Sequence, residues 1–148
     1  MLQYLRSTNS DSIISPQENL QSGSWVRCER PSDEEVSQLL TLGLDEDLIS
    51  DALDPHEVPR IEFDDEWTYL IARLPDTDDD FNDFTTPILF CINKDHIVTL
   101  SRDSLGRLWQ PFIDKVRIRT DRQVELLVAM VEAISMQYQR RVATINRQ

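Results

Sequence analysis

Short runs of alternating or continuous apolar residues predict the strands of this chain. In residues 24–29 apolar and polar side chains alternate, which is the pattern of a half-buried strand. Residues 67–72 are apolar on both faces, so we expect their strand to be central and covered on both sides. Polar turns at 64–66 and 93–95 join neighbouring strands into hairpins. The predicted strands are 1–5, 13–14, 24–29, 60–63, 67–74, 84–92 and 97–100.

Capping residues and three- to four-residue apolar spacing predict the helices. Ser32 is placed as an N-cap with Glu35 as its capping-box partner, and Gly43 follows the last apolar position as a helix-ending glycine does. A second short helix begins at Asp45, and a third is predicted at 105–113. The final helix is predicted over residues 121–148, with an apolar stripe of Leu127, Met130, Ile134, Tyr138, Val142 and Ile145.

This order of elements predicts an α/β fold with a mixed β-sheet, helices on both faces and a long C-terminal helix. We expect one domain over residues 1–148, with a weakly structured start over about 1–22. Residues 75–83, which contain five aspartates, are interpreted as a solvated loop. Because the last helix has no stop signal, we expect it to be cut before further structure.

Charge is distributed unevenly along the chain. The formal net charge is −12, with −16 carried by residues 29–83 and +4 by residues 84–148. Such a field repels nucleic acid and anionic lipid and attracts cations, so we expect no nucleic-acid partner. A small basic cluster of Lys115, Arg117 and Arg119 either faces solvent or pairs with acids of a neighbouring subunit.

Residue patterns that carry catalytic chemistry are absent from the sequence. Three glycines form neither a dinucleotide-binding nor a P-loop motif, and no nucleophile elbow is present, so we expect the chain not to be an enzyme. Cys28 and Cys91 are expected to be buried free thiols, and His56 and His96 lack zinc-ligand spacing. The longest apolar runs fall short of the roughly 20 residues that span a bilayer, and the opening is too short and polar for a signal peptide.

Residues 44–74 are the most informative stretch. They read as a short acidic helix with Leu48 and Asp51, a turn containing His56, and a Pro-Arg-Ile-Glu-Phe strand at 59–63, followed by the aromatic strand that begins at Trp67. Together with the Trp25-Val26 strand and the glutamate-rich helix after it, this pattern resembles the CorA magnesium-transporter family over roughly residues 24–148. The family's Gly-Met-Asn signature is not in the chain.

The resemblance implies a cytoplasmic domain of a cell-membrane protein, attached to the membrane only through a C-terminal part outside these residues. It implies a homopentamer in the full-length protein and regulation by Mg²⁺, with Co²⁺, Ni²⁺ or Zn²⁺ as other cations of the family. Asp51 falls on the position of a Mg²⁺-sensing aspartate at the subunit interface, and its usual partner acid lies on a later stalk helix. Mg²⁺ keeps most of its waters, so one or two interface carboxylates suffice.

One further departure from the family pattern and two alternative functions accompany this interpretation. Ser50 replaces a residue that is often acidic in the family, which weakens any second ion site. Asp51 is otherwise an exposed helix acid, Arg60 and Glu62 are structural strand residues, and His56 orders the turn. The alternative functions are a zinc transporter of the ZntB branch and a stand-alone acidic module that binds other proteins.

Overall fold

The computed structural model of the protein describes residues 1–9, 11–77 and 79–147. Its strands are β1 (Leu2–Arg6), β2 (Ser15–Gln17), β3 (Trp25–Glu29), β4 (Arg60–Phe63), β5 (Thr68–Thr77), β6 (Asp83–Ile92) and β7 (Ile97–Ser101). Its helices are α1 (Asp33–Thr41), α2 (Glu46–Ala52), α3 (Gly106–Lys115) and α4 (Gln123–Asn146).

The strands form one mixed sheet in the order β2-β1-β3-β7-β6-β5-β4. After β3 the chain crosses through α1 and α2 to the far edge, where β4 begins an antiparallel meander of four strands. The meander returns to the centre, and β7 pairs with β3 in parallel. Both strands of this pair are buried along their whole length, as expected of parallel strands covered on both faces.

Two apolar layers cover the two faces of the sheet, which confirms the predicted α/β architecture. On one face α3 and α4 pack against a cluster centred on Trp25, Trp109 and Phe112. The Trp25 and Trp109 rings meet edge to face with centroids 5.3 Å apart, a favoured aromatic geometry. On the other face α1 and α2 bury side chains that include Leu39 and Ile49.

The predicted start and end of the first helix are confirmed. The Ser32 side chain accepts a hydrogen bond from the Glu35 backbone N–H, and the Glu35 carboxylate accepts one from the Ser32 backbone N–H. The chain leaves the helix at Gly43 with φ of +94°, a conformation that L side chains rarely adopt. The acids of the first helical turn therefore lie at the positive end of the helix dipole.

The first predicted strand is confirmed and the second is shifted. β1, expected at 1–5 within a weakly structured start, pairs with β2 and β3, and the expected strand at 13–14 is replaced by β2 two residues later. Ile14 is buried to 2% exposure in the preceding loop, so it fills the core without joining the sheet. Pro16 is tolerated in β2 because this strand forms an edge of the sheet.

The acidic segment 75–83 is not wholly a solvated loop. β5 continues through Thr77 and β6 begins at Asp83, and these two residues face each other in the antiparallel register. Asp78 lies outside the described residues. β5 is an inner strand that pairs with β4 and β6, and its two faces contact the two apolar layers, as expected, although it lies second from the edge and its Leu70 is only partly buried.

The buried stripe of α4 agrees with the predicted one at Met130 and Ile134 and differs from it at the first position. Leu126, Met130 and Ile134 are buried, whereas Leu127 is only partly buried. A 24-residue helix is about 36 Å long. Its buried residues all lie in the first half, so the later apolar residues of the stripe, such as Val142 with 55% exposure, extend past the core.

Candidate functional site

Asp51 lies in the last turn of α2, and the packing of that helix decides which way it faces. The Asp45 side chain caps the helix by accepting a hydrogen bond from the Leu48 backbone N–H at 3.1 Å. Leu48 and Ile49 are buried against the sheet, which fixes the rotation of the helix. Asp47 and Asp51 are four residues apart and therefore share the face that is turned away from the core.

A tight turn and the edge strand β4 bring Arg60 to Asp51. In the turn, the Asp54 carboxylate accepts a hydrogen bond from the His56 backbone N–H at 2.9 Å. Arg60 then begins β4 and donates from its Nη2 to Asp51 Oδ2 at 2.5 Å. Its Nη1 donates to Glu57, and its Nε donates to Glu62 Oε1 at 3.2 Å. One guanidinium thus holds three carboxylates.

The four charged groups form a partly exposed network. The Arg60 side chain is 30% exposed and that of Asp51 is 39% exposed. Burial disfavours the charge of Arg60, but the hydrogen bond to Asp51 and the charge of Glu57 outweigh it and hold the pKa of Arg60 above its usual value. The network has three negative charges and one positive charge, so it keeps a net charge of −2.

Tyr69 on β5 forms the floor beneath this network. Its hydroxyl donates to Asp64 Oδ2 at 2.7 Å and accepts from the Asp45 backbone N–H at 2.9 Å. Burial and the neighbouring Asp64 raise the pKa of Tyr69 well above its usual value, so it stays a neutral donor. A cleft of about 240 Å³ lies above it, lined by Asp45, Asp47, Leu48, Asp51, Arg60, Glu62, Phe63, Asp64 and Tyr69.

Exposed apolar side chains flank the cleft on the sheet edge. Val58, Ile61 and Phe63 are 66%, 59% and 73% exposed. β4 pairs with β5 on one side, and its other side is the end of the sheet in the described residues. An apolar patch beside an unpaired strand edge is a feature of contact surfaces.

The donors around Asp51 are carboxylate oxygens, the ligand type of hard cations, but they do not form a complete metal site among the described residues. Among residues 1–9, 11–77 and 79–147, no group of three or more His, Cys, Asp or Glu side chains is placed to hold a metal ion. The Asp51 carboxylate is reachable from solvent, but Arg60 is its neighbour in this chain. Mg²⁺ needs only one or two carboxylates beside its waters, and the Asp51 carboxylate offers one such ligand.

The other residues singled out in the sequence have structural surroundings of their own. Cys28 and Cys91 are buried free thiols, as predicted. The turn at His56 is ordered by the Asp54 side chain, and His56 contributes its backbone N–H. Arg119 pairs with Asp121 of the same chain at 2.6 Å.

Within the basic cluster before the last helix, Arg119 is thus paired with an acid of its own chain, and Arg117 donates to the Asp11 backbone carbonyl at 3.0 Å. The contact of Arg60 with Asp51 was not expected from the sequence. The i, i+2 spacing of Arg60 and Glu62 indicates only that these two side chains share one face of β4, and it carries no signal for Asp51.

Comparisons with known proteins identify the family. None of the described helices is both long and apolar enough to cross a bilayer. The family described as CorA-like Mg²⁺ transporter protein matches residues 21–148. The cobalt/magnesium transport protein CorA of Methanocaldococcus jannaschii is 29% identical over 122 residues, which span 78% of this chain and 38% of that protein.

Solved structures show the same fold. The soluble domain of CorA from Methanocaldococcus jannaschii has a TM-score of 0.81 at 23% identity, covering 99% of this chain and 60% of that one. The ZntB cytoplasmic domain from Vibrio parahaemolyticus has a TM-score of 0.73 at 14% identity, covering 99% of this chain and 62% of that one. The chain therefore spans less than two thirds of the length of these relatives. On the match over residues 21–148, the chain belongs to the CorA-like Mg²⁺ transporter family.

Proposed function

We propose that this chain is the cytoplasmic regulatory part of a divalent-cation transporter, and that it senses Mg²⁺ through Asp51 at a contact between subunits. The observation that carries the proposal is the family match over residues 21–148. The related proteins support the setting, since one is named as a cobalt/magnesium transport protein and another as a cytoplasmic domain. The proposal assigns no catalytic step to the chain.

The position of Asp51 supports the sensing role physically. Its carboxylate lies in an acidic cleft next to the exposed apolar residues of β4, where a second subunit of a homo-oligomer such as a pentamer can approach. An ion bound by two subunits adds its binding free energy to their contact. At a free Mg²⁺ concentration about ten times Kd, this linkage contributes about 1.4 kcal/mol per site. Loss of the ion at low Mg²⁺ then loosens the contact and shifts the conformational equilibrium.

The chemistry of the donors favours a hard cation over zinc. The cleft offers carboxylate oxygens, whereas structural zinc sites use thiolate and imidazole ligands. Both thiols of the chain are buried, and His56 is not among the residues that line the cleft. We therefore place Mg²⁺ before Zn²⁺ as the regulatory ion, with Co²⁺ and Ni²⁺ as further candidates for transport.

A Mg²⁺ titration of the 148-residue chain tests the sensing role. Amide NMR resonances are followed at constant ionic strength in the wild type, in Asp51→Asn and in Glu34→Gln. The last variant removes one negative charge from α1, outside the cleft. We expect shifts concentrated in α2 and β4 at low millimolar Mg²⁺, abolished in Asp51→Asn and kept in Glu34→Gln. Shifts that persist in Asp51→Asn, or that spread over all acids, would remove the sensing role and leave the family unchanged.

Reading the gene beyond codon 148 tests the transporter assignment. We expect a long charged helix and then two hydrophobic spans, the first ending in Gly-Met-Asn. A stop codon directly after Gln148 would overturn the membrane assignment. It would favour the alternative of a stand-alone acidic module that binds other proteins.

A further inference from the structure

Arg60 occupies the carboxylate to which the divalent cation is expected to bind. We propose that Arg60 is a built-in competitor for the cation at Asp51, and that it sets the Mg²⁺ concentration at which Asp51 becomes occupied. The inference rests on the proposed sensing role of Asp51. A purely structural role of Arg60 in the edge strand β4 would not require it to compete with a cation.

The geometry supports competition because each nitrogen of the guanidinium is used for a different carboxylate. Nη2 reaches Asp51, Nη1 reaches Glu57 and Nε reaches Glu62. The bond to Asp51 Oδ2, at 2.5 Å, is directed at an atom that a cation would ligate. A cation that binds this oxygen is repelled by the guanidinium beside it and competes with it for the carboxylate, whether the cation binds directly or through its water shell.

The competitor is permanent over the physiological pH range. A guanidinium keeps its proton in proteins, and the bond to Asp51 further favours the charged form of Arg60. The occupancy of Asp51 by its internal partner therefore depends on cation concentration and ionic strength and not on pH. Glu57 and Glu62 keep the displaced guanidinium nearby, so the pair can re-form when the ion leaves.

Removing the guanidinium should strengthen cation binding at Asp51 in two ways. The Asp51 carboxylate loses a partner, and the net charge of the network falls from −2 to −3, so both effects tighten cation binding. Because Arg60 and Asp51 are 30% and 39% exposed, the Coulomb energy of the pair is strongly screened. We expect a decrease of about 2- to 5-fold in the apparent Kd for Mg²⁺, in the range of exposed ion pairs.

The test compares Arg60→Gln with Arg102→Gln in the 148-residue chain, by titration with MgCl₂ at constant ionic strength. Arg102 lies on the exposed segment between β7 and α3 and does not line the cleft. Its substitution changes the net charge equally, so it controls for the long-range field. We expect tighter Mg²⁺ binding only in Arg60→Gln, measured by amide shifts of α2, and loss of that binding in the Asp51→Asn, Arg60→Gln double variant.

An unchanged or weaker affinity in Arg60→Gln overturns the inference, since it would mean that Arg60 positions Asp51 or has no influence on it. If wild-type binding depends on Asp51 and only the tightening is missing, the sensing role stands and competition fails. If neither protein shows Asp51-dependent binding, both fail. Should Arg60→Gln not fold, Arg60→Lys replaces it. A single ammonium cannot reach three carboxylates at once, so a smaller tightening is expected there.

Discussion

Replacing Tyr69 with phenylalanine should loosen the floor of the cleft without removing any apolar packing. The hydroxyl links the N-cap of α2 to the β4–β5 turn, because it accepts from the Asp45 N–H and donates to the Asp64 carboxylate. Tyr69 is 1% exposed, so phenylalanine keeps the buried ring and deletes both hydrogen bonds. The substitution therefore isolates the polar link between the two elements that carry Asp51 and Arg60.

The magnitude follows from the two bonds that are lost. A hydrogen bond to a charged carboxylate contributes about 1.5–3 kcal/mol, and a neutral one about 1 kcal/mol. Asp64 and Asp45 can both be rehydrated at the surface, which returns part of this free energy. We expect the free energy of unfolding to fall by about 2 kcal/mol, which corresponds to a decrease of about 6 °C in Tm for a chain of this size.

Guanidinium chloride unfolding followed by tryptophan fluorescence measures this change. The denaturation midpoint should fall while the m-value, which reports the surface exposed on unfolding, stays constant. Tyr4→Phe is the matched control, since the Tyr4 hydroxyl has no hydrogen bond to any residue that the structure describes. A loss below about 0.5 kcal/mol in Tyr69→Phe, or an equal loss in Tyr4→Phe, would refute the argument.

The remaining predictions concern the core, the thiols and acid stability. Met130→Ala should lower the free energy of unfolding by about 2–4 kcal/mol because Met130 is fully buried. Val142→Ala, at an exposed site, should lower it by less than about 0.5 kcal/mol, and chemical denaturation of the two variants measures both changes. Burial raises the pKa of the Cys28 thiol to about 12, so a thiol reagent at pH 8 should label neither buried thiol until denaturant is added. The hydrogen bond from Arg119 lowers the pKa of Asp121 in the folded protein. The pair therefore stabilises the fold fully at pH values above the pKa of Asp121 in the unfolded chain, near 3.9, and this stabilisation is lost as the pH falls through the lower pKa of the folded state. The loss of stability between pH 6 and pH 3 should accordingly be smaller in Arg119→Gln, and an unchanged pH profile would contradict the pairing.

Much of the fold could be predicted because local signals and burial agree along the chain. Ser32 and Glu35 form the capping box that their spacing indicates, and the turn at 93–95 joins β6 to β7 as expected. The sequence did not predict that β5 and β6 continue through Thr77 and Asp83. Cross-strand pairing, a tertiary effect, overrides the low strand propensity of aspartate there. The position of Leu126 in the core instead of Leu127 depends on how α4 rotates against the sheet, which periodicity fixes only to within a residue.

The candidate site also has one part that the sequence could predict and one part that it could not. Asp51 was identified from a resemblance carried by residues that are close together in the sequence, and the structure places it in an acidic cleft. The contact with Arg60 could not be derived from spacing. It depends on the angle between α2 and the edge strand, which is set by the buried faces of both elements. Local motifs thus indicate which side chains carry the chemistry of a site. Whether another residue of the same chain pairs with them, as Arg60 does with Asp51, depends on the tertiary structure.

The edge strand connects the sensing proposal to the architecture. β4 is only four residues long, and its outward apolar residues Ile61 and Phe63 are more than half exposed. Exposed edges are commonly blunted by charge, and Arg60 and Glu62 alternate with these apolar residues along the strand. These charges oppose unspecific association of the edge, and the acidic cleft beside them would repel the acids of an approaching subunit. In the proposed function, a divalent cation shared at Asp51 would remove that repulsion. The same ion can therefore permit the contact and report its own concentration, which is the physical requirement for a sensor at a subunit boundary.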